Sequence, residues 1–173
     1  MNLLISPSID GARRSFLRRV FLVLAVVFSG FVFGYAVLRP PTHLTEALSG
    51  LEDTTASELS MMAFTVGLAA PTVETLLLAA CLRVGMLFHL QKRASCFAVA
   101  VVFGTLHINS ELGVLSAASG VLWAILFYIF ADTYLAWRHM GFYKAYLAAT
   151  SLHIIANSLA LSLIFLAITR VPH

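Results

Sequence analysis

The chain has 173 residues, 60% of them hydrophobic and 11% charged, with a formal charge of +3 and a mean hydropathy of +0.92. Soluble domains carry about a quarter charged residues, so a water-soluble globule is excluded and an integral membrane protein is expected. The basic residues border apolar runs instead of forming one patch, which argues against a nucleic-acid partner.

A membrane-crossing helix needs about 20 mostly apolar residues. Residues 20–38 form the first such run, behind the basic lead Arg13, Arg14, Arg18 and Arg19. A cleaved signal peptide is the competing reading, but the apolar core exceeds the usual ~7–15 residues and no small-residue cleavage site follows, so a retained helix is expected. Gly30 and Gly34, four apart within it, allow close helix approach. Residues 39–60 read as an acidic, turn-rich outer loop. Residues 61–90 form a second span, long enough to tilt, and residues 94–108 a short third. Residues 112–130 and 142–168 supply the fourth and fifth. The expectation is an all-α polytopic membrane bundle of about five helices. Residues 1–60 would hold the basic segment, first helix and outer loop, and residues 61–173 a four-helix catalytic core.

Lys and Arg placement orients the bundle. The basic lead, Lys92 with Arg93, and Arg138 with Lys144 all fall on one side if the spans alternate. The other side holds Arg39 and Arg170 among Glu46, Glu52, Asp53, Glu58 and Glu111. This predicts the N-terminus inside and the C-terminus outside. Asp132, Arg138, His139 and Lys144 read as a solvated inner loop, and His43, His89 and His173 as membrane-end residues without a pattern. Cys81 and Cys96 are too few for a disulfide framework and read as small buried apolar residues.

Four polar groups inside or near the spans remain: Glu74, His107, His153 and Asn157. Ionisable side chains in membrane helices face the bundle interior or a wet cavity. His153 and Asn157 are four apart and share one helix face; His107 follows Phe103 by the same spacing. Counting about 13 residues from the outer start of span two to Glu74, and about 11 from the outer end of span five to Asn157, places both roughly 17–20 Å deep. His107 lies near the outer end of its short helix. The four can therefore meet in the outer half of the bundle. A carboxylate beside an imidazole can hold a water and take its proton, and a second His with an Asn can donate hydrogen bonds to an oxyanion. The bland alternative is mutual hydrogen bonding across helices, worth about 0.6 kcal/mol per bond in a membrane setting.

The stretches "APTVETLLLA", "FGTLH" and "HIIAN", in that order, resemble the three motifs of the CAAX-protease and bacteriocin-processing (CPBP, or Abi) family of glutamic intramembrane endopeptidases. That family's pattern is a Glu-Glu-x-x-x-Arg helix, a Phe-x-x-x-His helix, an intervening helix and a His-x-x-x-Asn/Asp helix. The second and third motifs match in full. The first departs: Glu74 fills the first Glu position, but Thr75 stands at the second and Ala79 at the Arg position. A buried carboxylate and guanidinium that pair can be lost together without stranding a charge. Arg83 is no substitute, since nine residues put it half a turn from Glu74 around the helix. The resemblance implies peptide-bond hydrolysis without a covalent intermediate or cofactor, with Glu74 and His107 activating a water and His153 with Asn157 stabilising the oxyanion. It further implies a membrane-anchored polypeptide substrate, such as a C-terminal sorting signal, and residence in a bacterial cytoplasmic membrane.

Three rival readings stand beside it. Glu74, His107 and His153 make a known zinc ligand set, although the helical His-Glu-x-x-His motif is absent. Ser119 in "AASG" offers a serine nucleophile but reads better as helix-packing material, and two intramembrane His offer haem ligands that leave Glu74 without a role. A non-catalytic immunity or scaffold protein is the reading outside enzymes. Glu111, four residues beyond His107, reads as an exposed loop acid.

Overall fold

The computed structural model describes residues 9–38, 55–108 and 114–168. Arg39, His43, Glu46, Glu52, Asp53, Glu111, Arg170 and His173 lie outside the described residues. The chain is an all-α membrane helix bundle. Its helices are α1 (Ile9–Leu38), α2 (Ala56–Phe64), α3 (Ala70–Leu87), α4 (Lys92–Leu106), α5 (Val114–Trp137) and α6 (Phe142–Ile168). A π-helical turn, Thr65–Ala69, joins α2 to α3 as one rod, and a 3-10 turn, Arg138–Met140, follows α5. Among the described residues four stretches are long and apolar enough to cross a membrane: Arg14–Val32, Ser57–Leu87, Ala118–Met140 and Phe142–Ile164. The fifth rod, α4, has only 15 residues.

Several helix boundaries differ from the sequence expectation, among them that of α1, which starts at Ile9 instead of residue 20. Helix α2 starts at Ala56 inside the expected outer loop, because Thr55 and Glu58 form a reciprocal capping box. Thr55 Oγ1 accepts from Glu58 N–H at 3.3 Å, while Glu58 Oε2 accepts from Thr55 N–H at 2.8 Å. Such a box satisfies two of the amide hydrogens that a helix start leaves unpaired. Helix α5 runs to Trp137, past the expected end at residue 130.

The longer α5 corrects the reading of Asp132. It sits on the helix and not in a solvated loop, and it binds Arg19 of α1 at 2.6 Å and Lys92 of α4 at 3.4 Å. Arg19 also reaches Ser15 on its own helix. One carboxylate thereby ties the N-terminal third of α1, the start of α4 and the last turns of α5 together. These segments lie side by side at one end of the bundle, as alternating spans require. Asp132→Asn keeps the shape and removes both pairs. Unfolding in detergent micelles is expected to show a loss of about 1–2 kcal/mol, between the sub-kcal range of exposed pairs and the ~3–5 kcal/mol of fully buried ones.

Helices α5 and α6 form the centre. Helix α1 packs on both, α3 packs on α6 and α4, and α4 lies along α5. The inward stripe of α3 is Pro71, Thr75, Leu78, Ala79 and Leu82, all buried, at the three-and-four spacing of an amphipathic helix. The buried residues of α6 include Ala145, Ala149, Leu152, His153 and Ala156. Cys96 is buried as expected, but Cys81 faces outward on α3. Small residues set the α4–α5 crossing: a Cβ on Gly104 would lie 2.6 Å from Ala124 Cβ and 2.7 Å from the Gly120 carbonyl oxygen. The helix-packing reading of "AASG" is realised at Gly120. Gly30 faces the Leu122 side chain of α5.

Candidate active site

The site begins with an irregularity in the α2–α3 rod. In the π turn the Ala70 N–H donates to Thr65 O, five residues back. Continued by one residue, that register would pair Val66 O with the amide of residue 71. Residue 71 is Pro and has no N–H to give. Val66 O receives its hydrogen bond from α6 instead, from Asn157 Nδ2 at 2.8 Å. A carbonyl can only accept, so this contact fixes which end of the amide faces it. Asn157 Oδ1 then points away, buried and without a hydrogen-bond partner. The π turn and Pro71 thus explain why a polar side chain sits on α6 at this height. Asn157→Leu would leave the carbonyl unpartnered in an apolar setting and is expected to cost about 1–3 kcal/mol, measured as a lowered unfolding midpoint in micelles.

One turn before Asn157, His153 is fully buried. Its ring stacks on Phe130 at 4.6 Å and meets Phe127 edge-on at 5.2 Å. Its two nitrogens face α3: Nδ1 lies 3.3 Å from Thr75 Oγ1, and Nε2 lies 3.4 Å from Glu74 Oε2. The Glu74 side chain is 28% exposed, on the edge of the α3 stripe beside the buried Pro71 and Leu78. The carboxylate oxygen and His153 Nε2 are buried atoms without a hydrogen-bond partner at normal distance. Together with Asn157 Oδ1 they make three unpaired polar atoms between α3 and α6.

His107 caps the C-terminal end of α4. Its Nδ1 lies 2.7 Å from Phe103 O, so Nδ1 carries a hydrogen, and in the neutral ring Nε2 presents a lone pair. This gives the Phe-x-x-x-His spacing a physical basis: the backbone carbonyl of Phe103 orients the imidazole, while its ring packs on Phe127 at 4.6 Å. The His107 ring stacks on Trp123 at 4.6 Å and lies 5.4 Å from Phe127. Those same two aromatics approach His153, Trp123 at 6.4 Å and Phe127 at 5.2 Å. The two imidazoles therefore border one aromatic pair on α5.

All four side chains singled out in the sequence thus lie around the junction of α3, α4, α5 and α6. Glu74 makes its close contact with His153, and His107 stands off on the Trp123 side. Thr75, Trp123, Phe127 and Phe130 were not singled out from sequence as parts of this site. An aromatic on an apolar helix carries no mark of its own, and Thr75 entered only as a departure from a motif. Ala79 is 3% exposed and Thr75 fully buried, so a carboxylate and a guanidinium at these positions would both be interior. Arg83 is exposed. Among the described residues no three His, Cys, Asp or Glu side chains are grouped to hold a metal ion. Ser119 lines a separate apolar groove of about 840 Å³ between α1, α5 and α6, whose lining includes Trp123 but neither His.

No family model, curated protein or solved structure matches the chain.

Proposed function

We propose that the protein is an intramembrane endopeptidase that hydrolyses a peptide bond of a membrane-anchored polypeptide with a water activated by Glu74. The observation that carries this reading is the buried Glu74 Oε2 facing His153 Nε2 at 3.4 Å, an acid kept in a hydrocarbon setting beside an imidazole. Intramembrane ionisable residues are costly and tend to mark sites of chemistry. In the proposed reaction the Glu74 carboxylate takes a proton from water, assisted by the His107 lone pair. The water oxygen bonds to the substrate carbonyl carbon. The resulting oxyanion accepts hydrogen bonds from His153 Nε2–H and from the second N–H of Asn157. The C–N bond then breaks, the proton held by Glu74 passes to the leaving amine, and a carboxylic acid and an amine result. The orientation expected from Lys and Arg placement, with the site in the outward half of the bundle, favours substrates presented at the outer face, such as C-terminal sorting signals, in a bacterial cytoplasmic membrane.

A second reading, a non-catalytic membrane scaffold, draws on the Asn157–Val66 bond, which has a purely architectural explanation. Co-expression with candidate membrane-anchored polypeptides separates the two: a processed form made by wild type and lost with Glu74→Gln supports the peptidase, and an unchanged pattern supports the scaffold. The same assay with a chelator addresses zinc, since loss of cleavage together with stoichiometric metal in the purified protein would overturn the glutamic mechanism.

A further inference from the structure

Thr75 occupies the place where the resembling motif has its second Glu, and it is fully buried against the equally buried His153. Its Oγ1 lies 3.3 Å from His153 Nδ1, while Glu74 Oε2 lies 3.4 Å from Nε2 on the other edge of the ring. A neutral imidazole has one N–H and one lone pair to distribute between these neighbours. With the hydrogen on Nδ1, the Nε2 lone pair would face a carboxylate oxygen, acceptor against acceptor. The hydroxyl hydrogen of Thr75 would also lose the lone pair within its reach. With the hydrogen on Nε2, that N–H lies on the Glu74 side of the ring, 3.4 Å from Oε2, and the Thr75 hydroxyl donates to Nδ1. With Glu74 ionised, only the second arrangement sets no acceptor against an acceptor.

We propose that Thr75 is a positioning residue whose hydroxyl donates to His153 Nδ1 and so holds that ring as an Nε2–H donor. Its catalytic meaning rests on the peptidase reading, in which an oxyanion needs a donor at that nitrogen. His107 is set the other way, its Nδ1–H tied to Phe103 O and its Nε2 left as an acceptor. Two imidazoles beside one pair of aromatics are thereby fixed in opposite tautomers by different partners, a backbone carbonyl and a hydroxyl. One becomes a base and the other a donor. A carboxylate at position 75 would accept from Nδ1 and reverse the second assignment.

The test is ¹⁵N NMR of the full chain in detergent micelles with histidine labelled in the ring, His153 being assigned by the signals lost in His153→Phe. Wild type is expected to show His153 protonated on Nε2, with Nδ1 an unprotonated hydrogen-bond acceptor. Thr75→Val keeps the side-chain volume and removes the hydroxyl, and should shift the Nδ1 resonance toward that of a free acceptor. Thr75→Ser should restore the wild-type position. A hydrogen on Nδ1 in wild type, or an Nδ1 resonance unmoved by Thr75→Val, overturns the proposal. These spectra need no substrate, so a wild-type protein that cuts nothing would sink the peptidase reading while leaving the tautomer result intact. With a cleaved substrate in hand, Thr75→Val should lower kcat at constant KM, by less than the roughly 10²–10³-fold of deleting an oxyanion donor outright.

Discussion

On the proposed peptidase reading, Glu74→Gln is expected to lower cleavage by about 10²–10⁴-fold, the contribution of a positioned general base, while the bundle stays folded. The amide has the same shape as the carboxylate and can still hydrogen-bond across to His153, but it cannot take a proton from water. Retention of fold follows from the surroundings: Glu74 is 28% exposed on its side chain, at the edge of the α3 stripe, and the tight packing belongs to Thr75, Leu78 and Leu82. The informative comparison is Glu74→Gln against wild type in the same membranes, with processed product and helical content read together. Loss of product with unchanged circular dichroism is the expected pair. Full cleavage by the Gln variant would remove the general base and the mechanism with it.

Among the described glycines, Gly104→Ala is expected to be the most damaging added methyl. Its Cβ would meet Ala124 Cβ at 2.6 Å and the Gly120 carbonyl oxygen at 2.7 Å, and a backbone oxygen on a packed helix cannot rotate away. Overpacking of this kind costs about 1–3 kcal/mol. Gly30→Ala meets only the end of the Leu122 side chain, at 2.7 Å, and a rotamer change there absorbs much of the insult. The unfolding midpoint in micelles should therefore fall further for Gly104→Ala than for Gly30→Ala. A functional effect should accompany it, because His107 is three residues further along the same helix. Pushing α4 off α5 separates His107 from Trp123, and cleavage should fall even where the folded fraction is high. Equal stability of the two variants would show that the α4–α5 crossing has slack.

Much of the architecture was legible because membrane helices announce themselves by length and apolarity. The span at residues 142–168 coincides with α6, and the four-residue spacing of His153 and Asn157 puts both on the face that meets α3. Asp132 was misread because a carboxylate at the end of an apolar run looks solvated, and its partners come from elsewhere: Arg19 lies 113 residues away in sequence. Cys81 was misread because residue type alone does not say which face of α3 points inward. The early start of α2 was within reach, since Thr-x-x-Glu is a helix-start signature. The π turn was not. It has no composition of its own, and its one trace is Pro71, whose missing N–H leaves a carbonyl needing an outside donor. Sequence supplied a candidate donor in Asn157 but could not say that the two would meet. The role of Thr75 was hidden for a related reason, because a hydroxyl on an apolar helix shows its purpose only when the nitrogen beside it is seen.

The brevity of α4 has a consequence for solvent. Fifteen residues give about 22 Å of helix against a hydrocarbon layer of about 30 Å, a shortfall of about 8 Å. Lipid answers such a deficit by thinning locally, and backbone that leaves the helical path at depth is tolerated only where protein or water covers it. The end of α4 carries His107. The bilayer should therefore dip at this imidazole, drawing the aqueous boundary down toward Glu74 and shortening the path by which bulk solvent can reach a carboxylate that its own long helix would otherwise keep dry.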